Sequence, residues 1–139
     1  LRVAERAVLA GFRTFIAGGA LGFDTWAANA VLDQRHHLIL TLPFVGFDQR
    51  WPAQSRSELA ALIERTETLG GKVQYVSAPG YNPQKLIARD RWMIDRARAV
   101  IAGWDGGQHG GTWNAIAYAR RTQRPVFAIN STTQTAAWM

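Results

Sequence analysis

Two glycine-rich stretches carry the residue types that could hold an anionic ligand. The first, Gly18-Gly19-Ala20-Leu21-Gly22-Phe23-Asp24, lies between an apolar run and a helical run. Glycine lets a backbone approach a ligand closely, and free N–H groups at a helix start favour negative charge. The stretch is not a G-x-G-x-x-G dinucleotide pattern, because Ala20 and Phe23 stand where its second and third glycines belong. The competing reading is a tight turn with Asp24 as a plain helix cap. The second stretch is Trp104-Asp105-Gly106-Gly107-Gln108-His109-Gly110-Gly111-Thr112, with four glycines at positions 106–111. So much flexible backbone costs folding entropy and implies a use. Gly110, Gly111 and Thr112 at a helix start could cradle a phosphate, the threonine hydroxyl adding a donor. A mobile surface loop is the alternative, with His109 either a ligand contact or simply solvated.

A third set lies on the helix that opens at Asn82-Pro83. Its apolar stripe reads Leu86, Ile87, Met93, Ile94 and Ala97, and Asp90 falls inside it. A carboxylate facing a core needs a partner or a function. Asp90 is therefore expected to be largely buried, with an arginine, a tryptophan N–H or a backbone N–H beside it. Arg89 and Arg91 flank it. The set is either a structural ion pair or a phosphate- or ribose-reading group facing both glycine loops.

Other chemistry is poorly provided for. No H-E-x-x-H, P-loop or G-x-S-x-G pattern occurs. Cysteine is absent, which removes disulfides, thiolate zinc sites and thiol nucleophiles. His36-His37 lacks carboxylates at metal spacing, so neither a metal site nor a cofactor is expected. Trp26, Trp92 and Trp113 sit at helical positions and are expected in the core.

The elements that must position these residues alternate along the chain. Strand-like runs cover Arg13–Ala17, Leu38–Leu42, Lys72–Val76, Ala99–Ala102 and Pro125–Ile129. Helical patterns cover Asp24 to about Gln34, Ser55–Leu69, Pro83 to about Ala97, and Thr112–Arg121. In the second of these, Ser55 and Glu58 suggest a capping box, Leu59, Leu62, Ile63 and Leu69 one face, and Gly70-Gly71 the stop. The strands are continuous apolar runs, as buried parallel strands should be. The 139 residues, 47% apolar and 19% charged, suit one folded domain. The expected fold is one three-layer α/β/α domain over 1–139, with a mainly parallel sheet covered on both sides. Ligands in such a sheet bind beyond the carboxyl ends of the strands.

No apolar run is long enough to span a membrane and no secretory leader is visible, so a cytoplasmic protein is expected. The chain starts at Leu1, already in a helical pattern over Arg2 to about Leu9, as though a true beginning were missing. The net charge of +6 rests on fourteen arginines and two lysines. Arginine suits phosphate, but a GC-rich genome accounts for the bias equally well. The charges are scattered, without a block of five or six, so no dedicated nucleic-acid tail is indicated.

Together, GGALGFDTWAANAV, LILTLPF with DQRW after it, ARDRWMIDRARAVIAGWDG and GGTWNAIAYA resemble the YpsA-like branch of the SLOG superfamily. That superfamily also holds the DNA-processing protein DprA and the Lonely Guy phosphoribohydrolases. The likeness runs from about Gly11 to Ile129. It implies a Rossmann-like sheet whose glycine loops bind a nucleotide or nucleotide-derived ligand. By motif, Gly18, Gly19, Ala20, Gly22 and Asp24 form the first loop, and Asp105, Gly110, Gly111 and Thr112 belong to the second. Arg89 matches the arginine that Lonely Guy enzymes carry four residues before a methionine, here Met93, with Asp90 beside it. Their catalytic glutamate falls at Asn114. An amide cannot serve as acid/base there, and Asp105-Gly106-Gly107 replaces their proline-glycine-glycine opening. The family's first strand, normally central in the sheet, would precede Leu1. Its absence would leave unpaired backbone groups that favour self-association, unless another segment or subunit supplies the strand.

The leading expectation is a binding or sensing module for a nucleotide-like small molecule. The runner-up is a hydrolase cleaving an N-glycosidic or phosphate bond, with Asp24, Asp90 or Asp105 replacing the glutamate. A third reading, DprA-like single-strand DNA binding, rests on charge alone, because the sequence shows no patterned basic face.

Overall fold

The computed structural model describes residues 10–130 and 132–139, so the helix expected over Arg2 to Leu9 lies outside them. The first half runs β1 (Thr14–Ala17), α1 (Phe23–Asp33), β2 (His37–Leu42), α2 (Ala53–Thr68) and β3 (Lys72–Tyr75). The second runs α3 (Pro83–Arg96), β4 (Val100–Gly103), α4 (Gly110–Arg121), β5 (Val126–Asn130) and β6 (Thr135–Trp138). This is the expected Rossmann-like α/β alternation, with one strand more than the apolar runs announce. Among the described residues no helix is long and apolar enough to cross a membrane.

The strands form two three-stranded sheets rather than one. In the first, β1-β2-β3 are parallel, with Ala17 opposite Leu40 and Leu40 opposite Val73. In the second, β4 and β5 are parallel and β6 returns antiparallel along β5, Phe127 facing Trp138. Among the described residues β1 pairs only with β2, and β4 only with β5. Both strands line one largely apolar cleft of about 670 Å³, together with Phe23 and Trp26 of α1 and Trp92 and Met93 of α3. Trp26 is consequently 55% exposed instead of buried, and Trp92 and Trp113 are half-buried.

Each sheet has its own core. Leu38, Leu40 and Leu42 of β2 pack on Ala28, Val31 and Leu32 of α1 and on Leu59 and Leu62 of α2. Ile94, Ala102, Ile116, Ala119 and Val126 make the second cluster. β2 buries successive residues Leu40, Thr41 and Leu42, which explains its unbroken apolar character.

Three local expectations are corrected. Helix α2 starts at Ala53 with Pro52 in the cap position, so Ser55 lies inside the first turn and no capping box forms. Proline fixes its own φ and holds the chain extended just before the helix, which places the start two residues early. Glu58 instead accepts from Gln54 Nε2 at 3.2 Å. Leu69 is the residue after α2 and is 38% exposed, leaving the expected face. On α3, Ile94 is buried but Ile87 is 36% exposed, because the buried side chain at the middle of this helix is Arg89. The start of α3 is as expected: Asn82 Oδ1 accepts from Gln84 N at 2.9 Å, with Pro83 in the first turn.

Candidate functional site

β1 runs directly into Gly18 and Gly19, both buried. The residue ahead of α1 is Gly22, at φ +83°, so Asp24 is not the cap. Asp24 sits in the first turn and reaches back, its Oδ2 accepting from Ala20 N at 3.3 Å. Thr25 Oγ1 donates to the Ala20 carbonyl at 2.9 Å. The loop is therefore folded onto the helix that follows it. Arg89 enters from α3 beneath this loop. Its Nη1 donates to the Gly18 carbonyl and lies 3.5 Å from the Thr41 carbonyl, and its Nε donates to Asp90 Oδ1 at 2.7 Å.

The glycines here serve packing. A methyl at Gly18 would stand 2.8 Å from Asp24 Oδ2 and 3.1 Å from Arg89 Nη1. One at Gly19 would stand 2.5 Å from Leu42 Cδ2. Close approach is needed, as the sequence suggests, but the approaching groups are the protein's own carboxylate, guanidinium and core.

One guanidinium thus serves two carboxyls. Burial pushes Asp24 above the usual carboxylate range, opposed by the nearby Arg89 charge and the Ala20 N–H, with the Asp90 charge adding to the rise. Burial also raises Asp90, again against Arg89. The expected arginine partner of Asp90 is present, but the burial is shared differently. Arg89 is 6% exposed at its side chain and Asp90 27%, so the arginine is the group sunk into the fold.

The second loop is open. Trp104 continues from β4, its ring stacked on Trp113 at 5.5 Å and 19°, and its Nε1 donates to the Gly107 carbonyl at 2.8 Å. Asp105 Oδ1 accepts from Gly107 N at 2.8 Å, so this carboxylate shapes the turn. Helix α4 begins at Gly110, two residues before the expected Thr112, with His109 as its extended cap residue. Among the described residues no side chain caps this helix start. Gly110, Gly111, Thr112 and Asn114 are all exposed, and a methyl at Gly111 would meet nothing within 4 Å. An uncapped first turn presents unpaired backbone N–H groups and the positive end of the helix dipole.

The structure thus gathers Gly18, Gly19, Ala20, Asp24, Arg89 and Asp90 at the end of β1, with Arg89 bonded to Gly18 and Asp90, and Asp24 to Ala20. Gly110, Gly111, Thr112 and Asn114 form a separate open helix start, beyond the carboxyl end of β4. The cleft lined by β1 and β4 reaches Gly18 and Asp24. Sequence reasoning missed two features. Thr41, adjacent to the Arg89 contact, has a fully buried Oγ1 without a partner among the described residues. The Trp104–Trp113 stack supports the glycine loop, and tryptophans flanking a glycine-rich stretch were the available signal.

Fold and loops define an α/β protein of the Rossmann-like class with glycine-rich strand-to-helix turns. The YspA SLOG family profile matches residues 3–133, and the chain belongs to that family. It is similar to the SPbeta prophage-derived protein YoqJ of Bacillus subtilis, 32% identical over 120 residues, covering 78% of this chain and 70% of YoqJ. It is also similar to the UPF0398 protein OB1025 of Oceanobacillus iheyensis, 28% identical over 130 residues, covering 86% of this chain and 66% of that protein. The UPF0398 protein BH1768 of Halalkalibacterium halodurans is 22% identical over 119 residues, 82% of this chain and 61% of its own length. The matched segment spans about two thirds of these relatives.

Proposed function

We propose that this SLOG domain binds a nucleotide or nucleotide-derived ligand at the carboxyl ends of β1 and β4, and that it binds rather than turns over. The observation that carries the reading is the start of α4. Gly110 and Gly111 open an exposed helix with no side-chain cap, and Thr112 adds a hydroxyl in the same turn. Such an end accepts a phosphate through backbone donors and the helix dipole. The first loop has a different part. Ala20 N donates to Asp24, the Ala20 carbonyl accepts from Thr25, and Arg89 is taken up by Gly18 and Asp90. The loop forms a rigid wall of the site, with Asp24 suited to accept from a ribose hydroxyl.

Turnover is disfavoured by the same geometry. Asn114 stands where a phosphoribohydrolase carboxylate would stand, and an amide supplies no acid/base function. Asp105 is engaged with Gly107, and Asp24 and Asp90 share one arginine. Mass spectrometry of small molecules released from the purified protein tests the reading, followed by calorimetry with the species found. A phosphate-bearing nucleotide derivative is expected. Release of nothing, together with no heat from a panel of mono-, di- and cyclic nucleotides, would refute it.

A further inference from the structure

The three strands of the first sheet are parallel, so their carboxyl ends share one edge, and each loop leaving that edge exposes a large apolar side chain. These are Leu21 after β1, Val45 after β2 and Tyr81 after β3. Tyr81 is 76% exposed, the most of the three, yet its surroundings are fixed. Its ring meets the buried Phe44 edge-on, at 6.2 Å and 74°. Lys85 pins the turn ahead of it, Nζ donating to the Ala78, Pro79 and Gly80 carbonyls at 2.8, 3.3 and 2.8 Å. The same ammonium lies 5.5 Å from the Phe44 ring centroid. On the other side Asn82 caps α3 through Gln84 N. An aromatic ring held outside the core on anchored backbone needs little further ordering to stack on a ligand.

This ring stands near the start of α4. Arg91, eight residues after Pro83, lies over Tyr118, eight residues after Gly110. Farther along, the Asp95 and Ala97 carbonyls accept from Arg124. The two helices therefore run in the same direction with their first turns level. Axes of packed helices lie about 8–10 Å apart. Tyr81, two residues ahead of α3, is thus within a nucleotide's length of Gly110 and Thr112.

We propose that Tyr81 stacks the base of the nucleotide whose phosphate lies at the α4 start, accepting any base and holding purines more tightly than pyrimidines. The inference rests on the binding reading above and adds the base to it. Stacking needs a π-face, which every base has, whereas choosing among bases needs hydrogen bonds to their edges. The polar groups flanking Tyr81 are already engaged, Lys85 Nζ by three carbonyls and Asn82 Oδ1 by Gln84 N. Leu21 and Val45 carry no such group. What remains is ring area, in which purines exceed pyrimidines.

Calorimetry with the full chain tests the proposal, using the monophosphates of adenosine, guanosine, cytidine and uridine, with adenosine and ribose phosphate beside them. Tyr81→Ala is expected to weaken adenosine monophosphate about 5- to 150-fold, the range of base–aromatic stacking, and to leave ribose phosphate unchanged. Tyr81→Phe keeps the ring and is expected to keep the affinity. The two purine nucleotides should bind alike, and both above the two pyrimidine ones. The side chain is exposed, so both variants should melt with the parent. Equal affinity of adenosine monophosphate for the parent and Tyr81→Ala overturns the proposal, and if Gly111→Ala with Thr112→Val still weakens it, the phosphate reading stands alone. Tyr81-dependent binding of adenosine and its monophosphate that the Gly111 and Thr112 changes leave untouched supports the stacking and refutes the phosphate reading. A loss in Tyr81→Phe as large as in Tyr81→Ala, or one purine bound far above the other, overturns stacking without base choice. No heat from any of these probes overturns both.

Discussion

The Arg89 guanidinium donates to the Gly18 carbonyl, joining the middle of α3 to the end of β1 across 71 positions of sequence. Because the same group also neutralises Asp90, its removal strands a buried carbonyl and two partly desolvated carboxyls at once. Arg89→Met, which preserves much of the stem volume, is expected to lower the unfolding free energy by about 3 kcal/mol. That is the low end for breaking a buried pair, because Asp90 keeps 27% of its side chain exposed. Urea unfolding at neutral pH measures it. A loss within the range of a surface ion pair, about 0–1 kcal/mol, would show that the Arg89 contacts do not hold the sheet and helix together.

The two raised carboxyls give stability a definite pH trend. Burial lifts Asp24 and Asp90 above the usual aspartate range, so the folded chain retains protons that the unfolded chain has released. The stability linked to those protons is fully present below the unfolded pKa and is lost as pH rises through the folded one. Asp24→Asn retains an acceptor for Ala20 N and cannot ionise. Its melting temperature relative to the parent should therefore climb as pH rises through the weakly acidic range. A difference that is flat or shrinks over that range contradicts the assignment.

Two glycines separate packing from ligand approach. A methyl at Gly71 would stand 2.6 Å from the Leu38 carbonyl and 3.0 Å from the Thr66 carbonyl, both rigid backbone groups. Gly71→Ala is expected to cost about 1–3 kcal/mol as an overpacked site. Gly111→Ala meets open space and should hold stability or gain up to about 1 kcal/mol from helix propensity. Parallel denaturation curves decide, and equal losses at the two sites would mean the local geometry is misjudged.

Because Gly111→Ala is benign to the fold, it probes binding cleanly. Combined with Thr112→Val, it crowds an anion at the start of α4 and removes one hydroxyl donor. The released ligand should bind the double variant more weakly by roughly 1.5–3 kcal/mol, the worth of one hydrogen bond to a charged group. Unchanged affinity by calorimetry would move the phosphate away from this turn.

Much of the scaffold was legible because strong local signals agreed with the global fold. The apolar runs of β1 and β2, the Asn82-Pro83 start of α3 and the glycine-marked strand ends all lie within a residue or two of expectation. β6 was not legible. Thr135–Trp138 is exposed along its whole length, so it carries no burial pattern, and its pairing is set by the free edge of β5. The division into two sheets was equally hidden, since no local pattern reports which strands pair. Site residue types were readable, but their roles were not. Asp90 lay in the apolar stripe, yet the long arginine beside it curls into the fold, a choice fixed by the distant Gly18 carbonyl. The meeting of Arg91 and Arg121 over Tyr118 escaped for the same reason, as it arises only through the packing of α3 on α4.

Asn114 separates binding from hydrolysis. It is exposed on α4, two residues after Thr112, so a substitution there adds no buried charge and leaves the core untouched. Asn114→Ala should change ligand affinity modestly, and the parent should release no free base from a panel of nucleoside monophosphates followed by chromatography. Asn114→Glu places a carboxylate at the position that the motif resemblance assigns to the phosphoribohydrolase glutamate. A general acid/base group contributes typically about 10²–10⁴-fold, so a partial gain would stand clear of the parent's background. Base release by Asn114→Glu alone would show that the pocket holds a nucleotide with its glycosidic bond beside α4, in a protein that has kept the binding geometry without the chemistry. Base release by the parent would overturn the binding reading and assign the missing role to Asp24, Asp90 or Asp105, which single Asn variants would then distinguish.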